Sequence, residues 1–141
     1  MRLLAALDSS VVVAGIGWSG GPGRRCLSLL ARRAFVSLRT PWLTAEWADS
    51  VERVAKESRS WKNANWAGWL DWLKRASVLL EEPARRATVR RDPKDDPVLM
   101  AAVAGQAGFL VTYDKDLLDL EKPFGVACVR PEAFVAALVR A

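Results

Sequence analysis

The chain has 141 residues, 51% of them hydrophobic, enough to bury the core of one domain of ordinary size. Its 21 Lys and Arg against 16 Asp and Glu give a formal net charge of +5. It contains no His and only two Cys, which excludes imidazole bases, Ser-His-Asp triads, Cys-His pairs and the common zinc sites.

A basic chain suggests a polyanionic partner, with nucleic acid first, although a plain basic domain has the same charge. Cys26 and Cys128 are far apart and fit no metal spacing. Two reduced, mostly buried thiols of a cytoplasmic protein are expected, with a single disulfide left open. The apolar runs 3–7 and 11–16 are interrupted by Asp8, Ser9 and Ser10, whereas a secretory signal needs a continuous apolar stretch. No segment reaches the ~20 apolar residues of a membrane span. A cytoplasmic location without a membrane partner is therefore expected.

In chain order, residues 3–7 (LLAAL) read as a short buried strand ending at Asp8, and 11–16 as the body of a short helix. Residues 19–23 (SGGPG) form a loop. They lack the Gly-Lys-Ser/Thr ending of a phosphate-binding loop. Residues 24–33 predict a helix and 35–38 a second strand. Thr40-Pro41 is a helix start, with Thr as N-cap and Pro at the first position. Leu43, Trp47, Val51 and Val54 then repeat at helical spacing. A second helical stretch carries Trp66, Trp69, Leu70, Leu73 and Leu80, and residues 86–90 predict a third strand. Another helix opens within 92–96, residues 108–113 (GFLVTY) are the best strand, and 126–129 and 131–139 predict a last strand and helix. Alternating strands and helices imply an α/β domain with a parallel sheet covered on both faces. No repeat, low-complexity tract or linker divides residues 1–141.

Without imidazole, carboxylates must carry any chemistry. Asp8, Glu46, Asp96, Asp114 and Asp116 sit at the ends of predicted elements rather than in solvent-facing charge runs. Each has a structural alternative. Asp8 is also a turn or cap residue, and Asp116 an N-cap for 117–120. Asp92-Pro93 and Asp96-Pro97 are rival cap pairs, with Asp95 as the neighbouring alternative to Asp96. Glu46 lies at the boundary of its helix's apolar stripe. Gathered carboxylates repel unless a proton or cation lies between them, and Mg²⁺ or Mn²⁺ suits oxygen ligands.

The segments LDSSVVVAG (7–15), PWLTAEW (41–47), RDPKDDPVLMAAVAG (91–105) and FLVTYDKDLL (109–118) resemble the PIN-domain family of metal-dependent ribonucleases. Their order, spacing and flanking apolar residues look like its VapC-like branch of toxin components from toxin–antitoxin pairs. The resemblance spans nearly the whole chain and implies a three-layer α/β/α sandwich with a central parallel sheet of four to five strands. It matches Asp8, Glu46, Asp96 and Asp114 to the family's four acids, and Asp116 to a further acid. It matches Thr112 to the hydroxyl residue before the fourth acid. Ser10 stands where Asn is common, and Pro97 directly follows the third acid.

The resulting expectation is hydrolysis of single-stranded RNA to 5′-phosphate and 3′-hydroxyl ends. Asp8, Asp96 and Asp114 would hold one Mg²⁺ or Mn²⁺. Glu46 and Asp116 would hold a second ion or orient water. Ser10 and Thr112 would position these acids, and Arg24 and Arg25 would meet substrate phosphates. A cognate antitoxin and a homodimer are the expected protein partners. A PIN-like binding module without catalysis is the alternative. A phospho-acceptor receiver domain fits less well, because no Asp ends the 35–38 strand and Arg130-Pro131 follows the last one. The Arg85, Arg86, Arg90 and Arg91 cluster reads as a solvated face. Trp61, Trp66, Trp69 and Trp72 read as core packing, a partner surface or a base-stacking surface.

Overall fold

The computed structural model describes residues 3–62, 64–83 and 96–140. Within them the apolar runs fold as parallel strands joined by helices. The order is β1 (Leu4–Leu7), α1 (Ser9–Gly17), α2 (Pro22–Ala31), β2 (Val36–Arg39), α3 (Pro41–Glu57), α4 (Trp66–Ala76) and β3 (Ser77–Leu79). Then follow α5 (Pro97–Ala104), β4 (Phe109–Val111), α6 (Lys115–Leu118), β5 (Ala127–Val129) and α7 (Pro131–Arg140). The five strands form one sheet in the order β3-β2-β1-β4-β5, and every pair is parallel. This is the expected α/β arrangement, with helices flanking a central parallel sheet.

Sheet order follows from the hydrophobic pattern. Ala5, Ala6 and Leu7 of β1 and Leu110 and Val111 of β4 are fully buried, as central parallel strands require. On one side Phe134 of α7 meets Phe35 edge-on at 4.9 Å and Phe109 at 5.3 Å, geometry favoured by ring quadrupoles. α5 packs on β1, β2 and β4 through Val98, Leu99, Ala101 and Ala102. Gly15 and Gly23 let α1 and α2 cross closely. A Cβ on Gly23 would come within 2.9 Å of the Gly15 amide nitrogen.

The Thr40 cap forms as expected, its hydroxyl accepting the Leu43 amide at 3.1 Å. The third strand differs. Helix α4 ends at Ala76, and Ser77–Leu79 pairs with Ser37–Arg39, so Leu80 lies beyond a strand rather than in a helix. The expected strand at 86–90, the Arg85, Arg86, Arg90 and Arg91 cluster, Asp92 and Asp95 lie outside the described residues. Both cysteines are buried free thiols. Burial and the Glu132 charge push Cys26 up to about 12. Among the described residues no helix is long and apolar enough to cross a membrane.

Candidate active site

The chain leaves β1 toward β2 and β3, then returns to β4 on the other side of β1. The carboxyl ends of β1 and β4 thus flank a reversal of strand order, where open α/β sheets form their ligand crevice. A cavity of about 390 Å³ opens there, and Asp8, Glu46, Asp96 and Asp114 all line it. Four elements deliver these acids. Asp8 is the N-cap between β1 and α1, Glu46 lies on α3, Asp96 caps α5 and Asp114 caps α6.

Hydroxyls hold the centre together. Asp8 Oδ1 accepts the Ser9 amide at 2.9 Å, and Oδ2 accepts the Ser10 hydroxyl at 2.9 Å and the Thr112 hydroxyl at 2.7 Å. The same two hydroxyls accept backbone amides from the end of β4: Ser10 that of Tyr113 at 3.1 Å, Thr112 that of Asp114 at 2.9 Å. Burial raises the Asp8 carboxyl above its ordinary value, the three hydrogen bonds oppose that rise, and the Asp114 charge adds to it. Asp96 uses Oδ1 for the Val98 and Leu99 amides, and Asp114 uses Oδ1 for the Asp116 amide. The Oδ2 atoms of Asp96 and Asp114 have no protein donor among the described residues.

The structure departs from the sequence expectations at three points. Asp116 is exposed and does not line the cavity, and Asp114 rather than Asp116 caps the short helix, which begins at Lys115. Arg24 does not stand at the site mouth. Its guanidinium donates to the Gly15 and Ile16 carbonyls at 2.6 and 3.1 Å and lies 4.5 Å from the centre of the Trp69 ring. Those carbonyls close α1 at the end opposite Asp8, roughly 13 Å along a nine-residue helix. Arg25 is exposed on the same first turn of α2. Finally, among the described residues no three Asp, Glu or Cys side chains are arranged to hold a metal ion. Asp8, Asp96 and Asp114 therefore form no ready three-ligand cage: both Asp8 oxygens are engaged by protein donors, and Asp96 and Asp114 each leave Oδ2 uncommitted.

Sequence reading missed three contributors. Trp42 and Tyr113 line the cavity, and each neighbours an element end that was already singled out, Pro41 and Asp114. Trp47, placed in the core by its helical spacing, also donates its indole N–H to the Leu7 carbonyl at 2.7 Å. That bond ties the helix of Glu46 to the strand of Asp8.

Comparison with known proteins agrees with this fold. The PIN domain family profile matches residues 5–116, which span all five acids. No curated protein matches the sequence. Among solved structures the chain is similar to PAE2754 from Pyrobaculum aerophilum. The two share 18% identity with a TM-score of 0.58 over 99% of this chain and 91% of that one. It is also similar to the PilT N-terminus domain protein SSO1118 from the archaeon Sulfolobus solfataricus P2. There the identity is 16% and the TM-score 0.51, over 99% of this chain and 96% of that one. At such identities the likeness is one of fold. The chain belongs to the PIN domain family, whose members bind nucleic acid and are generally nucleases that use divalent metal ions.

Proposed function

We propose that the acidic cavity hydrolyses phosphodiester bonds of single-stranded RNA with the help of Mg²⁺ or Mn²⁺. The observation that carries this reading is the convergence of Asp8, Glu46, Asp96 and Asp114 on one crevice at the strand-order reversal. The donor set suits a hard cation, since it offers carboxylate oxygens without imidazole. The unfavourable charge between Asp8 and Asp114 is the kind a cation relieves. Mg²⁺ commonly keeps several waters and takes only one or two carboxylates directly. Asp8, Asp96 and Asp114 would hold such a hydrated ion, with the Oδ2 atoms of Asp96 and Asp114 as direct donors. Once bound, the cation neutralises phosphate charge and lowers the pKa of water at the site.

The remaining roles fall to the chain itself. Glu46 would orient the attacking water. Ser10 and Thr112 keep the Asp8 carboxylate fixed, and the Asp116 amide fixes Asp114. The net charge of +5 suits a polyanionic substrate, and the products would carry 5′-phosphate and 3′-hydroxyl ends. The reading extends to a single-domain toxin component that works in the cytoplasm as a homodimer and is restrained by an antitoxin. The half-buried Trp69 and Trp72 line a groove of about 370 Å³ between α2 and α4, and aromatic groove surface of this kind favours a protein partner.

One observation favours a second reading, a nucleic-acid- or protein-binding module without catalysis: the described carboxylates form no ready three-ligand cage. Cleavage of labelled single-stranded RNA separates the two. The nuclease reading expects Mn²⁺-dependent cutting that chelator abolishes and that folded Asp8→Asn and Asp114→Asn proteins lack. An Asp8→Asn protein that folds and cuts at the wild-type, metal-dependent rate removes it.

A further inference from the structure

A second cavity, of about 540 Å³, lies on the other side of α6. Leu118, Cys128 and Val129 give it an apolar floor. Burial and the Asp96 charge push the Cys128 thiol up to about 11, so it offers surface rather than a nucleophile. The rim carries two cations, Lys115 and Arg130, and two carboxylates, Asp119 and Glu132. The ion pairs among the described residues, Lys56 with Glu52 and Arg75 with Asp71, involve neither rim cation.

This cavity adjoins the acidic one. Asp114 lines the first and Lys115 the second, and α6 presents Leu117 to one and Leu118 to the other. Tyr113, in the acidic cavity, feels two of the four rim charges, Glu132 and Arg130. Its phenol is raised by burial and then by the charges of Glu132 and Cys26, and lowered by Arg130.

We propose that this cavity binds the nucleotide flanking the scissile phosphate of a single-stranded nucleic acid, an inference that rests on the nuclease reading above. The base lies on the apolar floor, which it reaches only when unpaired. Lys115 and Arg130 engage the flanking phosphate. Asp119 and Glu132 accept hydrogen bonds from ribose hydroxyls or base amino groups. All four rim charges thus find complementary groups on one ligand, and the strand continues directly over Asp114. Lys115 and Arg130 take the role that sequence reading gave to Arg24 and Arg25.

The test is an amide NMR titration of the full chain with a single-stranded RNA hexamer in EDTA, which keeps metal and cleavage out of the readout. Shifts are expected at Lys115, Leu118, residues 128–130 and residues 132–133. In a Lys115→Ala/Arg130→Ala double variant these shifts vanish. Affinity then falls about tenfold, and the slope of log K against log salt becomes shallower by roughly 0.7 to 1.4. Both side chains are exposed, and an Arg130→Gln single variant gives the same comparison should the double variant misfold. Shifts confined to Ser9, Ser10 and Val98, no shifts at all, or unchanged affinity and slope overturn the proposal. So does a hexaglutamate peptide that binds the cavity as tightly as the RNA. Failure of the nuclease reading is separate: a protein that cuts no RNA in Mn²⁺ but gives the expected shifts keeps the nucleotide site and loses the catalysis.

Discussion

Thr112 and Asp8 are joined across 104 residues of chain by a 2.7 Å hydrogen bond, and the Thr112 hydroxyl accepts the Asp114 amide at the same time. One buried side chain thereby couples the acid that ends β1 to the acid that follows β4. Thr112→Val keeps the shape and removes the hydroxyl. The Asp114 amide then loses its acceptor and Asp8 loses a donor, so stability falls by about 1–3 kcal/mol. The Asp8 carboxyl rises further, because a bond that opposed its rise is gone. Thr112→Ser keeps the hydroxyl and both hydrogen bonds, and so shows neither effect. Urea unfolding and carboxyl-carbon NMR titration check the pair.

Asp8 makes the metal-free protein less stable as pH rises. Its folded carboxyl binds a proton more tightly than the unfolded one. Between those two values the native state holds more protons, so unfolding free energy falls with increasing pH and then levels off. Asp8→Asn removes this dependence. In chelator, the melting temperature of Asp8→Asn relative to wild type should climb as pH rises from below 3.8 through the raised folded value. A flat or declining difference in scanning calorimetry contradicts the burial of this charge.

Trp47 fixes the position of Glu46 relative to Asp8. It is fully buried, and its indole reaches the Leu7 carbonyl at 2.7 Å. Trp47→Phe loses that bond and part of the ring volume. A cost of about 2–3 kcal/mol is expected in urea unfolding, with the m-value unchanged.

The α1 and α2 crossing has no room for a methyl group. On Gly15 a Cβ would meet Leu27 Cδ1 at 2.7 Å and the Gly23 carbonyl oxygen at 2.9 Å. Leu27 can adjust, but backbone cannot. Gly15→Ala should therefore cost about 1–3 kcal/mol despite the higher helix propensity of alanine. Thermal unfolding of the variant measures this.

Most of the sheet was legible in the sequence because its central strands are short apolar runs that end at polar residues. Residues 3–7 and 108–113 could hardly be anything else, and Thr40-Pro41 announces its helix. Three of the acids were visible for a related reason: Asp8 and Asp114 follow apolar strands and Asp96 precedes a Pro-led apolar helix, whereas Glu46 lies inside α3 and showed only as a break at the edge of its apolar stripe. Ser77–Leu79 was not legible. No turn residue separates it from α4, and Leu73 and Leu80 continue the helical spacing. Its strand state comes from pairing with β2, including a 2.8 Å bond between the Ser77 and Ser37 hydroxyls. Arg24 was misplaced because loop proximity in sequence says nothing about which end of α1 its guanidinium will cap. The roles of Trp47 and Thr112 as cross-braces likewise depend on partners 40 and 104 residues away, beyond the reach of local pattern.

Anomalous diffraction from a crystal soaked in Mn²⁺ tests the central claim most directly. The account expects a peak in the cavity between Asp96 Oδ2 and Asp114 Oδ2, with Asp8 in direct or water-bridged contact. A fully substituted soak with no peak there, or with manganese only at other acidic surface positions, would contradict it.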